Sequence, residues 1–156
     1  MTAPGWSTFK NNTNIVSGDD FIYFSGLTGK GTSFDLSGCS NMTSLTIPPH
    51  ITEMFSVVGC SSLTTITGLD HIQKVDNAFT NCTSLQSLTF TNLTGVCKLG
   101  EGLSGLSSLS VNEGCTELRM TGNNSVMTSL SVPASVTRCD IIRFSGITTI
   151  TFAPNS

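Results

Sequence analysis

Apolar residues along this chain come in short groups, and the groups recur. Leu45 in "MTSLTI" has counterparts in Ile66, Leu88, Leu109, Leu130 and Ile150, at a nearly constant spacing. Three places before this anchor stand Met42, Leu63, Leu85, Leu106, Met127 and Ile147. Two places after it stand Ile47, Gly68, Phe90, Val111, Val132 and Phe152. Anchor and following residue alternate with polar neighbours, which is the period of a strand with one buried side. A second inward-pointing segment follows, with Ile51, Ile72, Thr94, Cys115 and Val136 six places after the anchor and Met54, Val75, Cys97, Leu118 and Cys139 nine places after. Prolines at 48, 133 and 154 fall just past the strand, where no ladder donor is needed. No stripe of period 3.6 is present, and the Thr, Val, Ile and Gly content disfavours helix. The spacing therefore predicts a coil in which each turn lays a short strand parallel to the last, about 4.8 Å away. No turn can bury its apolar side alone, so neighbouring turns stabilise one another.

A period of about 21 lies in the 20–29 range of leucine-rich repeats. The expected fold is a β-rich solenoid of six to seven such turns, with short parallel strands and little or no helix. The stretches "CSNMTSLTIPPHITEM", "CSSLTTITGLDHIQKVDNAFTNC" and "MTSLSVPASVTRC" resemble the BspA-like class of leucine-rich repeats. The match covers about residues 35–154, and "DNAFTNC", Asp76 to Cys82, carries it best. The repeats here run about two residues shorter than that class, "AF" survives only as Ala78-Phe79, and the head Cys gives way to Leu103, Asn124 and Phe144. The resemblance implies a surface or secreted protein that binds proteins or surfaces. The expected division is an N-terminal cap over 1–34, with a degenerate first repeat anchored at Phe24, and a solenoid over 35–156.

Six cysteines raise the question of disulfides or metal. Cys39, Cys60 and Cys82 share one column, and stacking one strand apart would allow a bridge by distance alone. Three stacked thiols leave one over, however, and side chains pointing the same way pair poorly. A straight column also fails to converge tetrahedrally on zinc, and no CxxC is present. Buried small hydrophobes is the preferred reading, extended to Cys97, Cys115 and Cys139.

Composition narrows the function classes. Charged residues make up only 11% of the chain, against about 25% in typical domains. Serine and threonine fill much of the gap. The net charge of −3 and seven scattered Lys and Arg give no reason to expect nucleic acid. No apolar run approaches a membrane span, and the N-terminus lacks the pattern of a secretory signal. GxSxG, P-loop, HExxH and GxGxxG are all absent, so no enzyme and no cofactor are expected. Asp70-His71 reads as a turn rather than part of a triad. Asp19-Asp20 reads as a turn rather than a calcium pair.

The outward positions differ between the two segments. Flanking the anchor, Ser44, Thr65, Ser87, Ser108, Ser129 and Thr149 form one column and Thr46, Thr67, Thr89, Ser110, Ser131 and Thr151 another. This predicts a flat, uncharged hydroxyl face, suited to a pleated surface or to packing against another subunit. Charge gathers on the second segment, at Glu53, Lys74, Glu117 and Arg138, with Lys98, Glu101 and Glu113 in its connections. Recognition of a partner is expected there. Trp6, Phe9 and Ile15 are expected to cover the first turn. The strand around Ile150 is expected to leave an open edge, covered either by another chain, giving a homo-oligomer or larger assembly, or by further turns of a longer array. The function expected is a non-enzymatic, surface-exposed module for binding or adhesion, engaging proteins or a host surface from the extracellular side. The competing expectation is a phage virion structural protein: a capsid decoration, fibre or tail component.

Overall fold

The structure is a computed structural model that describes residues 9–19, 34–53 and 55–154. Among the described residues thirteen strands follow in chain order: β1 (Ser17–Gly18), β2 (Phe34–Asp35), β3 (Ser44–Thr46), β4 (Phe55–Ser56), β5 (Thr65–Thr67), β6 (Val75–Asp76), β7 (Ser87–Thr89), β8 (Gly95–Lys98), β9 (Ser108–Ser110), β10 (Cys115–Asn124), β11 (Ser129–Val132), β12 (Arg138–Phe144) and β13 (Thr149–Phe152). The odd strands stack in one column, as sheets β1-β3-β5, β7-β9 and β11-β13. The even strands stack in a second column, as β2-β4 and β6-β8-β10-β12. Every pairing among the described residues is parallel. From Ser44 to Thr149 the chain makes five full turns of nearly equal length. Among the described residues helix is confined to short 3-10 turns, of which Leu69–His71 is one. No described helix is long and apolar enough to cross a membrane.

The repeat columns become rungs. Leu45 pairs with Ile66, Leu88 with Leu109, and Leu130 with Ile150. The core runs between the two strand columns, through Leu45, Leu63, Ile72, Leu88, Leu118 and Leu130 among others. Phe55, Phe79 and Phe90 cross it edge to face, with ring centroids 5.3 and 6.2 Å apart. Phe9 and Ile15 pack against this core as expected, while Trp6 lies outside the described residues.

One registration differs from expectation. The first rung is Gly18, which pairs with Leu45 across a longer step than any that follows. A uniform step leads instead to Phe24, which is outside the described residues. The step from Gly18 to Leu45 is longer than the regular period, so counting back by that period does not reach Gly18.

The corners explain why glycine precedes the cysteine column. Gly38, Gly59 and Gly102 hold φ of 78°, 74° and 74°, and Asn81 at the same place holds 59°. That left-handed conformation is open to Gly and tolerated by Asn. The chain then turns tightly, with Met42, Leu63, Leu85 and Leu106 donating backbone bonds to Cys39, Cys60, Cys82 and Leu103.

Candidate binding face

The sheet β6-β8-β10-β12 presents the most differentiated surface. Its strands alternate sides, so Val75, Cys97, Leu118 and Cys139 form an inward row in register, the first three fully buried. The next residue on each strand points out. Asp76, Lys98, Arg119 and Asp140 thus form one row across four strands. Each flanking anion reaches its neighbouring cation. Lys98 Nζ lies 3.4 Å from Asp76 Oδ1, and Arg119 Nε lies 3.6 Å from Asp140 Oδ2. Arg138 Nε donates to the same Asp140 oxygen at 2.9 Å, and Arg119 Nη2 donates to Glu117 Oε2 at 2.6 Å. Lys98 and Arg119, both cations, stand side by side in the middle.

A cleft of about 380 Å³ opens beside these two cations. It forms where β8 ends at Lys98 while β10 runs on to Asn124. Asn77, Thr80 and Thr121 wall it, and Gly100 lies among them with φ of 97°. A Cβ on Gly100 would collide with Thr80 Oγ1, so the cleft depends on glycine there.

The four charges singled out in the sequence are only partly gathered. Glu117 and Arg138 are register partners on β10 and β12. Lys74 is cut off from them by Val96, which pairs with Glu117. Glu53 is exposed a further turn away, before β4. The charged row two places on, from Asp76 to Asp140, was missed. Its signal was available as Asp76, Lys98, Arg119 and Asp140 ten places after the anchors Ile66, Leu88, Leu109 and Leu130.

The hydroxyl face is present on the odd strands. Thr65, Thr67, Ser87, Thr89, Ser108, Ser110, Ser129, Ser131, Thr149 and Thr151 are exposed, while Ser44 and Thr46 are half-buried. The expectation of an uncharged face fails at its first rung. Asp19 accepts hydrogen bonds there from Ser44 at 2.7 Å, Ser17 at 3.0 Å and Thr46 at 3.1 Å. The Ser44 bond foremost holds the Asp19 carboxyl below its usual range, with Ser17 and Thr46 adding to it against the effect of burial. Asp20, its expected partner in a turn, lies outside the described residues. A further hydroxyl column was not foreseen: Thr43, Thr64, Ser107 and Thr148 each donate to a backbone carbonyl of the previous turn, at 3.0–3.3 Å.

The cysteines are all free thiols, and all but the half-buried Cys139 are buried. They do more than fill space. Cys39, Cys60 and Cys82 donate to the carbonyls of Phe9, Leu36 and Val57 at 3.0, 3.2 and 3.1 Å. Burial pushes the thiols of Cys60 and Cys82 up to about 12. Asn124 takes the same column place with a fuller set of bonds. Its Nδ2 donates to the carbonyls of Leu103 and Leu106, both at 2.7 Å. Its Oδ1 accepts from the amides of Val126 and Met127, at 3.0 and 2.9 Å. His71 Nε2 donates to the backbone carbonyl of Pro48 at 3.0 Å, which makes that nitrogen the protonated one. Glu113 accepts the Ser135 amide, a structural bond in a connection.

No family model matches the chain, and no curated protein matches it either. Among solved structures, it is similar to a leucine rich cell surface protein from Faecalibacterium prausnitzii A2-165, with a TM-score of 0.63 at 20% identity. The likeness covers 87% of this chain and 42% of that one, so the chain spans less than half of its structural neighbour. At this identity the likeness concerns the fold, and it identifies a parallel β-solenoid of the leucine-rich-repeat kind.

Proposed function

We propose that this chain is a non-enzymatic, protein-binding module displayed at an exposed extracellular surface, and that its partner docks on the outward face of β6-β8-β10-β12. The observation that carries this reading is the row Asp76–Lys98–Arg119–Asp140, with Glu117 and Arg138 beside it. In a chain with so few charges, six of them converge on one rigid sheet. Parallel rungs preorganise these side chains, and charge patterning of this kind favours specific, correctly registered encounter. Adhesion to a host surface is the setting we infer, by analogy with the cell surface protein of like fold. The test is binding of the purified chain to a panel of purified cell-surface and matrix proteins, followed by Glu117→Lys/Arg138→Glu on any hit. A hit whose affinity survives that double reversal would remove the proposed face.

A structural role in a phage virion is the competing setting, and one observation favours an assembly. The last described strands expose Ile142, Ile150 and Phe152 at 51%, 41% and 64%. The inferred occupant of this exposed apolar surface is a second copy of the chain. Sedimentation would show a concentration-dependent oligomer that Phe152→Glu abolishes; a monomer at every concentration would exclude it.

A further inference from the structure

We infer that the cleft beside Lys98 and Arg119 is an anion site that takes a single carboxylate group, an assignment that rests on reading this sheet as the binding face. The argument begins with the two cations. Lys98 and Arg119 are register partners on adjacent parallel strands. Like charges set opposite one another on a sheet repel. Their own counter-ions stand on the outer flanks, Asp76 beyond Lys98 and Asp140 beyond Arg119. No carboxylate of the row lies between them, and the cleft opens against both.

The donors fit the assignment. Glu117 takes Arg119 Nη2 and Asp140 approaches Nε, which leaves Nη1 as the uncommitted end of the guanidinium. Nε itself is shielded from solvent and makes no hydrogen bond. The Lys98–Asp76 pair is long and partly exposed, the kind of contact that adds little and yields to a better acceptor. An ammonium has three donors, so Lys98 can keep Asp76 and still serve a ligand. Thr80, Thr121 and Asn77 add neutral hydrogen-bonding groups on the walls.

Size and rim charge select the ligand. A cleft of about 380 Å³ lies at the small end of ligand pockets and admits a short acidic group together with part of its carrier. Glu101 also lines it. Its negative charge opposes a dianion such as phosphate more than it opposes a single carboxylate. The group can come from an acidic side chain of a protein or from a sugar acid, and the experiment separates the two.

The whole chain, labelled with nitrogen-15, is titrated with N-acetyl-glutamate amide, D-glucuronate, N-acetyl-glutamine amide and inorganic phosphate. Saturable amide shifts at Asn77, Thr80, Gly100 and Thr121 are expected with at least one carboxylate and not with the glutamine compound. The tighter of the two carboxylates names the source. Lys98→Gln is expected to weaken binding about tenfold, the weight of one charge-assisted hydrogen bond. Lys74→Gln, just before β6 and away from the cleft, is expected to leave it unchanged. Equal binding of the glutamine compound, tighter binding of phosphate, or indifference to Lys98→Gln overturns the assignment. So does a complete absence of saturable shifts, which leaves the wider face to stand or fall by its own charge-reversal test.

Discussion

Asn124 shows how one polar residue can replace a column of thiols. Its neighbours in the column either donate one S–H bond, as Cys60 does to Leu36, or none, as with Leu103. Asn124 is fully buried and ties four backbone groups of two turns together. Truncating it removes all four of these bonds at once, although the Leu103 carbonyl keeps the Leu106 amide. Asn124→Ala is therefore expected to cost about 3 kcal/mol in denaturant unfolding, and Cys60→Ala about 1 kcal/mol. Equal losses would show that the Asn network adds nothing beyond its volume. The thiols set a limit at alkaline pH. Burial raises Cys60 and Cys82 from 9.0 to about 12, so between those values the unfolded chain releases protons that the folded chain keeps. Their stabilising contribution is complete below about pH 9 and is lost as pH rises toward 12. Unfolding midpoints measured from pH 7 to 11 are expected to fall only above pH 9, and substitution of both cysteines by alanine is expected to flatten that fall.

At the scale of the strand, the decisive feature is how the even strands lengthen. β6 has two residues, β8 four and β10 ten. The longer strands carry more outward positions, and these hold the charges. Arg119 is the centre, bonded to Glu117 on its own strand and near Asp140 on the next. These groups are about one-third exposed, so the Arg119–Asp140 coupling is expected to be about 0.5–1 kcal/mol in a double-mutant cycle and to shrink with salt. A coupling near zero at low salt would mean the row is ordered by the backbone alone. Much of this element was legible beforehand. The alternation placed Val75, Cys97, Leu118 and Cys139 inward, and the structure agrees. The row at Asp76, Lys98, Arg119 and Asp140 was as periodic but went unread, because the charges two places earlier looked like the recognition row. There Val96 interrupts the charges and only Glu117 and Arg138 meet. The cleft had no readable signal: it depends on a positive φ at Gly100 and on β8 stopping before β10 does.

At the scale of the molecule, the repeat divides the surface into two faces with different chemistry. Repetition of Ser-Leu-Thr and its variants makes the odd face uniform, and uniform hydroxyls offer little to distinguish one partner from another. The even face breaks the repeat, turn by turn, with charges that differ in sign. Parallel stacking from β6 to β12 turns those departures into one rigid pattern. The solenoid was predictable because every turn repeats the same packing problem. The rung at Gly18 was not legible, because it stands further before Leu45 than one regular step. Specificity on this account lies where the repeat is broken. The most direct measurement is the dissociation constant of a bound protein partner for three forms of the chain: unaltered, Glu117→Lys/Arg138→Glu, and Ser108→Lys/Ser129→Lys. The double reversal on the even face is expected to weaken binding at least about tenfold, with the lysines on the hydroxyl face nearly silent. Loss of binding from the hydroxyl-face variant alone would contradict the account.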